Sequence, residues 1–366
     1  MPPHPRTRLR ILFLPLWILG SALLAQSLPT PPVVAQATIE DGPHVMWNGS
    51  KARIFRVHQG HLEQKDVNSP FALPLPGLAT EPITLKSDIP LPAQAVFPTP
   101  EKILAVSDVH GRLDTLLTLL KAHKVVNEKL QWSFGSGHLV ILGDVMDRGP
   151  AVTEALWFLR ALEKSAQKKG GWVHVLIGNH EAMEASGDIR YLNSKYLTPP
   201  AGLPSQAELI GPNSDLGRWL RSRPALLKLG DTLFVHGGIS PELVRSGLNL
   251  EQINTTLHGA FGLKKGTATG HAALLLGPMG PLWYRGLLES EKAPSSSEAD
   301  ISQALEHFQV KAIVVGHTTL DRITVFHGGK VFAIDAGINK GRSGEIWFWE
   351  KGCTWRGTSK GSRERL

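Results

Sequence analysis

Three short strings, each placed where a run of aliphatic residues ends, constrain this chain more than anything else in it. They are SDVHG at 107–111, GDVMDRG at 143–149 and GNHE at 178–181. Asp108 precedes Asp144 by 36 residues, and Asp144 precedes Asn179 by 35. The runs before them (103–106, 138–142 and 172–177) read as buried strands. Between them, Leu113, Leu116, Leu117 and Leu120 recur at helical spacing over 112–124, as do Leu156, Leu159 and Leu162 over 151–168. The pattern is therefore βαβαβ. Every string sits just past a strand's C-terminal end, where open α/β sheets hold their ligands.

Two histidines extend the pattern. His236 opens HGG after the apolar run 232–235, and His317 closes VVGH after 311–315. With further strands at 331–334 and 345–349, a second, mixed sheet is expected. Two sheets face to face with helices outside make a four-layer αββα sandwich. Asp108, His110, Asp144, Asn179, His236 and His317 then gather at one end. Carboxylate, imidazole and amide oxygen suit manganese, iron or zinc; all-oxygen magnesium or calcium sites would not need three histidines. Two ions sharing a bridging carboxylate make a water nucleophilic and clamp a phosphoryl group.

The remainder of the chain is less specific. Arg6, Arg8 and Arg10 precede the apolar run 11–25, no acidic residue appears before Glu40, and Ala35-Gln36-Ala37 offers a cleavage site. Residues 1–37 read as an export signal and spacer, directing the protein to a periplasm, with an uncleaved anchor as the alternative. Without those arginines the formal charge falls from +7 to +4. Such a mild excess weakly favours anionic substrates and does not indicate a nucleic-acid partner. The single cysteine, Cys353, excludes an internal disulfide. Residues 38–68 alternate apolar and polar around Asn48-Gly49, as a β-hairpin or three-stranded addition does. The Pro-rich stretch 69–100 reads as an extended linker, 101–350 as the catalytic domain, and 351–366, with Lys351, Arg356, Lys360, Arg363 and Arg365, as a solvated basic tail. Residues 182–230 are irregular, with one helix near 215–223.

GDxxDRG paired with GNHE is highly specific. Over about 102–340 the chain resembles the calcineurin-like metallophosphoesterases. Within them it is similar to the phosphoprotein phosphatase branch, and there to the bacterial Shewanella-like phosphatases, which PLWYRG at 281–286 and GDIRY at 187–191 also resemble. The resemblance implies two divalent ions, with manganese the expected metal in vitro. Asp108 and His110 would bind the first, Asp144 would bridge, and Asn179, His236 and His317 would complete the second. A bridging solvent would lose its proton and attack phosphorus in line. Arg148, Asn179 and Arg285 would face the phosphate, although Arg285 reads equally well as a surface arginine behind an aromatic anchor. His180 would protonate the leaving oxygen, oriented by Asp147. Thr319, where related enzymes often carry a second histidine, agrees with the phosphoprotein phosphatase branch.

The implied substrate is a phosphorylated protein, with a phenolic leaving group as one possibility within the group. The alternatives are an exported phosphatase of small phosphate esters or nucleotides, and a non-catalytic exported metal-binding module. Glu181 and Gly237 stand where diadenosine tetraphosphatase relatives carry Asp and Ala, against the nucleotide reading. The intact ligand set argues against a non-catalytic module.

Overall fold

The strand residues alternate strictly between two faces, and that alternation builds the layers. Ile103, Ala105, Val140 and Leu142 point one way, where they meet Phe234, Val314 and Phe332 of a second sheet. Leu104, Val106, Leu139 and Ile141 point the other way, into a core shared with Leu116, Leu120, Leu156 and Leu159 of the covering helices. A period of two can satisfy both faces only if each sheet is covered on both sides.

This computed structural model describes residues 39–78, 81–264, 266–288 and 295–366. The export signal and spacer expected over residues 1–37 lie outside the described residues. No helix among the described residues is long and apolar enough to cross a membrane.

Each main sheet has six strands. In one, Lys102–Val106, His138–Ile141 and Trp172–Val175 run parallel, and Glu345–Glu350 joins the edge of the first antiparallel. In the other, Thr232–Val235, Ala312–Val315 and Val331–Ala333 run parallel. Leu226–Leu229, which sequence patterning left inside an irregular stretch, pairs antiparallel with Thr232–Val235. The helices Leu113–Ala122 and Val152–Gln167 cover the first sheet. Leu250–Ala260 and Glu298–Phe308 contribute Ile253, Ile301 and Ala304 to the packing over the second. The result is the αββα sandwich.

Asp41–Asn48, Lys51–His58 and His61–Asn68 form the three-stranded N-terminal sheet. It is tied to the sandwich by two indoles. Trp47 Nε1 donates to Asp215 Oδ1 at 3.0 Å, and Trp157 Nε1 donates to Pro43 O at 2.7 Å.

Two readings of the flanks are corrected. Residues 69–100 do more than link. Leu73, Leu75, Ile83 and Leu85 enter the core, and Val96–Phe97 adds a parallel edge strand beside Leu226–Leu229. Prolines suppress periodicity without preventing single side chains from burying. Nor are residues 351–366 a solvated tail. Cys353–Thr358 and Arg363–Arg365 extend the first sheet. Arg356 is only 8% exposed and pairs with Glu364. Ion pairs at a sheet edge let a charged segment take strand geometry.

Candidate metal centre

Parallel register brings the predicted ligands together. Val106 pairs with Ile141 and Ile141 with Val175, so three strands of the first sheet end together, and Val235 pairs with Val315, so two of the second do. The exits are sharp. Among the described residues, twelve non-glycine residues have positive φ, and six of them are Asp108, His110, Asp144, Asp147, Arg148 and His317. Such conformations cost about 1–3 kcal/mol each and persist only where the surroundings over-determine them. Here part of the constraint comes from Glu181. Its Oε2 accepts the amides of Asp144 (2.9 Å) and Gly178 (2.7 Å), and its Oε1 those of Val145 (2.8 Å) and Met146 (3.1 Å). Across the two sheets, Gly316 is obligatory, because a Cβ there would collide with Ser107 Oγ.

Six ligand-type side chains converge in a buried space. Asp144 Oδ2 lies 3.5 Å from His110 Nε2 on one side and 3.3 Å from His236 Nε2 on the other. His110 Nε2 is 3.9 Å from Asp108 Oδ1. His236 Nε2 is 2.9 Å from Asn179 Oδ1 and 3.2 Å from His317 Nδ1. Atoms bound to one ion at about 2.1 Å sit roughly 3 Å apart when their bonds are at right angles. Two such sets share the Asp144 carboxylate.

Ring orientation fits the same reading. His110 Nδ1 donates to Met146 O and His236 Nδ1 to Leu142 O, each at 2.7 Å, which turns both Nε2 lone pairs inward. Asp108 Oδ2 accepts from Ser107 Oγ and from the His317 amide at 2.9 Å, leaving Oδ1 for the site. His110 Nε2 and His317 Nε2 are buried without a hydrogen-bond partner. A convergence of lone pairs calls for a cation, and the nitrogen and oxygen donors fit a divalent metal.

The charges agree. Burial, and then the Asp335 carboxylate, pushes Asp108 well above the usual carboxylate range. Burial works the same way on Asp144, but His236, His110 and His180 outweigh it and hold Asp144 well below. Against its own burial, His236 is pushed up to about 9 by Asp144 and Asp108. His110 is pushed down to about 3, chiefly by burial.

Beside this centre, His180 Nδ1 donates to Asp147 Oδ2 at 2.6 Å. Its Nε2 is 3.8 Å from Asp144 Oδ2 and faces Arg148 Nη2 at 3.2 Å. The Arg148 guanidinium stacks over Tyr191, 5.5 Å from the ring centroid, and its amide donates to Tyr191 O. Asp144, Arg148, His180 and Tyr191 line a cleft of about 1010 Å³ together with Trp283, Arg285 and His317. Arg285 is therefore not a surface arginine. It reaches the cleft and donates to His317 O at 2.6 Å and Thr318 Oγ1 at 3.0 Å.

Several participants carried no recognisable sequence signal. Asp335, 1% exposed, accepts from Thr319 Oγ1 at 2.6 Å and from the Gly337 amide at 3.0 Å. Glu184 is fully buried behind Asp147. Both are acidic residues placed by tertiary packing alone. Tyr191 lay in the GDIRY string without an assigned role, although an aromatic there could have been matched to Arg148.

Paired ligand sets around one shared carboxylate, at the strand ends of an αββα sandwich, define a metal-dependent phosphoesterase. The calcineurin-like phosphoesterase model matches residues 101–320. The chain belongs to that family and is a hydrolase of phosphoester bonds. Shewanella-like protein phosphatase 2 of Arabidopsis thaliana is 28% identical over 293 residues, covering 68% of this chain and 74% of that one. The crystal structure of a cold-active protein-tyrosine phosphatase from a psychrophilic Shewanella matches with a TM-score of 0.82 at 34% identity, across 90% of this chain and 100% of that one. A protein serine/threonine phosphatase from Saccharomyces cerevisiae, at 17% identity and a TM-score of 0.51, shares the fold.

Proposed function

We propose that this protein is an exported phosphoprotein phosphatase that prefers phosphotyrosine. The observation that carries the reading is the Arg148–Tyr191 stack beside His180, in a cleft that Trp283 also lines. An aromatic leaving group packed against Tyr191 would lie with its phosphate toward Arg148 and the ligand sets. The likeness to the Shewanella tyrosine phosphatase supports the same substrate class.

In this reading Asp108 and His110 would hold one divalent ion, and Asn179, His236 and His317 the other, with Asp144 available to both. Manganese, iron and zinc suit the donors, with manganese the metal to supply in vitro. When bound, such ions would supply Lewis acidity and a more acidic water. The protein supplies the rest. Arg148 and Arg285 bind phosphoryl oxygens through charge-assisted hydrogen bonds, and the Asn179 amide faces the same group. A phosphate that draws Arg148 away from His180 Nε2 frees that nitrogen to carry the proton for the leaving oxygen. Asp147 holds the opposite nitrogen and keeps the imidazolium oriented. The basic, apolar N-terminus supports export to a periplasm.

The test is turnover of matched phosphotyrosine, phosphoserine and phosphothreonine peptides and of nucleotides by manganese-loaded protein. The reading expects kcat/KM to be highest for the phosphotyrosine peptide. Higher kcat/KM for a nucleotide would instead favour a phosphatase of small esters, and no turnover of any of them with manganese, iron or zinc would favour a metal-binding module.

A further inference from the structure

Asp147 and Glu184 are both buried carboxyl groups, 0% exposed, and each uses only one of its two oxygens. Asp147 Oδ2 takes the His180 Nδ1 proton. Glu184 Oε2 takes an N–H from Gln206 Nε2 at 2.8 Å. The remaining oxygens, Asp147 Oδ1 and Glu184 Oε1, are buried and have no other hydrogen-bond partner, and the two carboxyl groups are within hydrogen-bonding reach of each other. Two bare carboxylate oxygens cannot be left together in a buried site. One proton between them satisfies both.

We propose that Glu184 is held as the neutral acid and donates Oε1–H to Asp147 Oδ1, making it a positioning residue for the His180 general acid. This rests on the role given to His180 above. The ends of the chain place the proton between Glu184 Oε1 and Asp147 Oδ1, because Gln206 Nε2 donates to Oε2 and His180 Nδ1 donates to Oδ2. Its owner follows from the neighbours: Asp147 faces the His180 imidazole, which stands against Arg148, and keeps the charge, while Glu184 faces the neutral Gln206 amide. The line runs Gln206, Glu184, Asp147, His180. Burial, and then the Asp147 charge, pushes Glu184 well above the usual carboxylate range, which is consistent with this order.

Glutamic acid serves here as a donor, and that separates two substitutions. In Glu184→Gln the carboxamide can donate N–H to Asp147 Oδ1 and accept from Gln206 through its oxygen. Glu184→Met keeps the bulk and removes the donor. The experiment measures kcat and KM of the manganese-loaded variants on an alkyl and an aryl phosphate, with metal content and melting temperature alongside. Glu184→Gln is expected within about threefold of wild type on both substrates. Glu184→Met is expected to lose roughly tenfold or more in kcat on the alkyl phosphate, less on the aryl phosphate, with KM and metal content unchanged. The infrared spectrum of wild type minus Glu184→Gln should contain the carbonyl band of a protonated carboxylic acid.

Loss of activity in Glu184→Gln as large as in Glu184→Met would show that the charge of Glu184 is needed and overturn the proposal. So would an absent carboxylic-acid band, or a folded Glu184→Met with wild-type kcat on the alkyl phosphate. Should Glu184→Met fail to fold, the Gln variant and the infrared band decide alone. A wild-type protein without phosphatase activity would sink the functional reading instead, and the band would still report the proton.

Discussion

Glu181 lies 37 residues beyond Asp144, yet its carboxylate accepts the Asp144 backbone amide at 2.9 Å. The same group takes the next two amides of that loop and the Gly178 amide of its own. One side chain thus fixes both loops that carry Asp144 and Asn179. Glu181→Gln would turn an N–H₂ group toward at least one of these donors and leave buried amides unpaired, at about 1–3 kcal/mol each. Metal affinity is expected to fall roughly 10–100-fold and the melting temperature to drop. Equilibrium dialysis with manganese checks the first and thermal unfolding the second. Unchanged affinity would show that the loops hold themselves.

Asp144 Oδ2 is common to both ligand sets. Asp144→Asn keeps the shape and removes the charge that both ions would share. It should lose phosphatase activity and lower the metal content measured by elemental analysis. A variant that keeps two ions would contradict the bridging role.

His180 is hydrogen-bonded to Asp147, and its Nε2, 3.8 Å from Asp144 Oδ2, faces Arg148 Nη2 and is assigned to the leaving oxygen and to neither ion. His180→Asn should therefore retain metal while kcat falls on the order of 10²–10⁴-fold, the range for removing a general acid. Alkyl phosphates, whose leaving oxygen needs the proton most, should suffer more than aryl phosphates. Equal losses on both would rule out proton donation by His180.

The ligands were legible in the sequence because each one follows a buried strand, and strand ends carry their meaning locally. Asp108, Asp144, Asn179, His236 and His317 could be placed by that rule and their residue types, whereas their division between two ions was what the family resemblance implied. The supporting carboxyls were not legible. Glu184 stands on a short helix at a position any acidic residue could fill, and only packing sets its carboxyl against Asp147. Asp335 is likewise reached through Thr319 and Gly337. The flanks misled for a different reason. Residues 351–366 look like a tail because Arg356, Arg363 and Arg365 are charged, but Glu345 and Glu364 neutralise Arg356 across strands. Cross-strand partners are invisible until register is known.

Away from the site, His174 Nε2 and His138 Nδ1 are 2.9 Å apart on neighbouring strands, against Phe97. Burial holds His138 down to about 4, and burial with the neighbouring His138 holds His174 well below its usual value. Folded-state values below the unfolded ones mean that the unfolded chain binds these protons first. The stabilisation is therefore complete above the unfolded value of 6.5 and is lost as pH falls from there toward about 4. For His138 alone that is about 3 kcal/mol. Urea unfolding at several pH values should show a shallower acid slope for His138→Gln than for wild type. Identical slopes would mean that the pair is not held neutral.

The central claim is that six side chains from five strand ends grip two ions across Asp144. Anomalous scattering from crystals of the manganese-loaded protein tests it most directly. The account predicts two peaks about 3.5–4 Å apart, one near Asp108 and His110, the other near Asn179, His236 and His317. A single peak elsewhere, or no peak between the Asp108 and His317 loops, would contradict it.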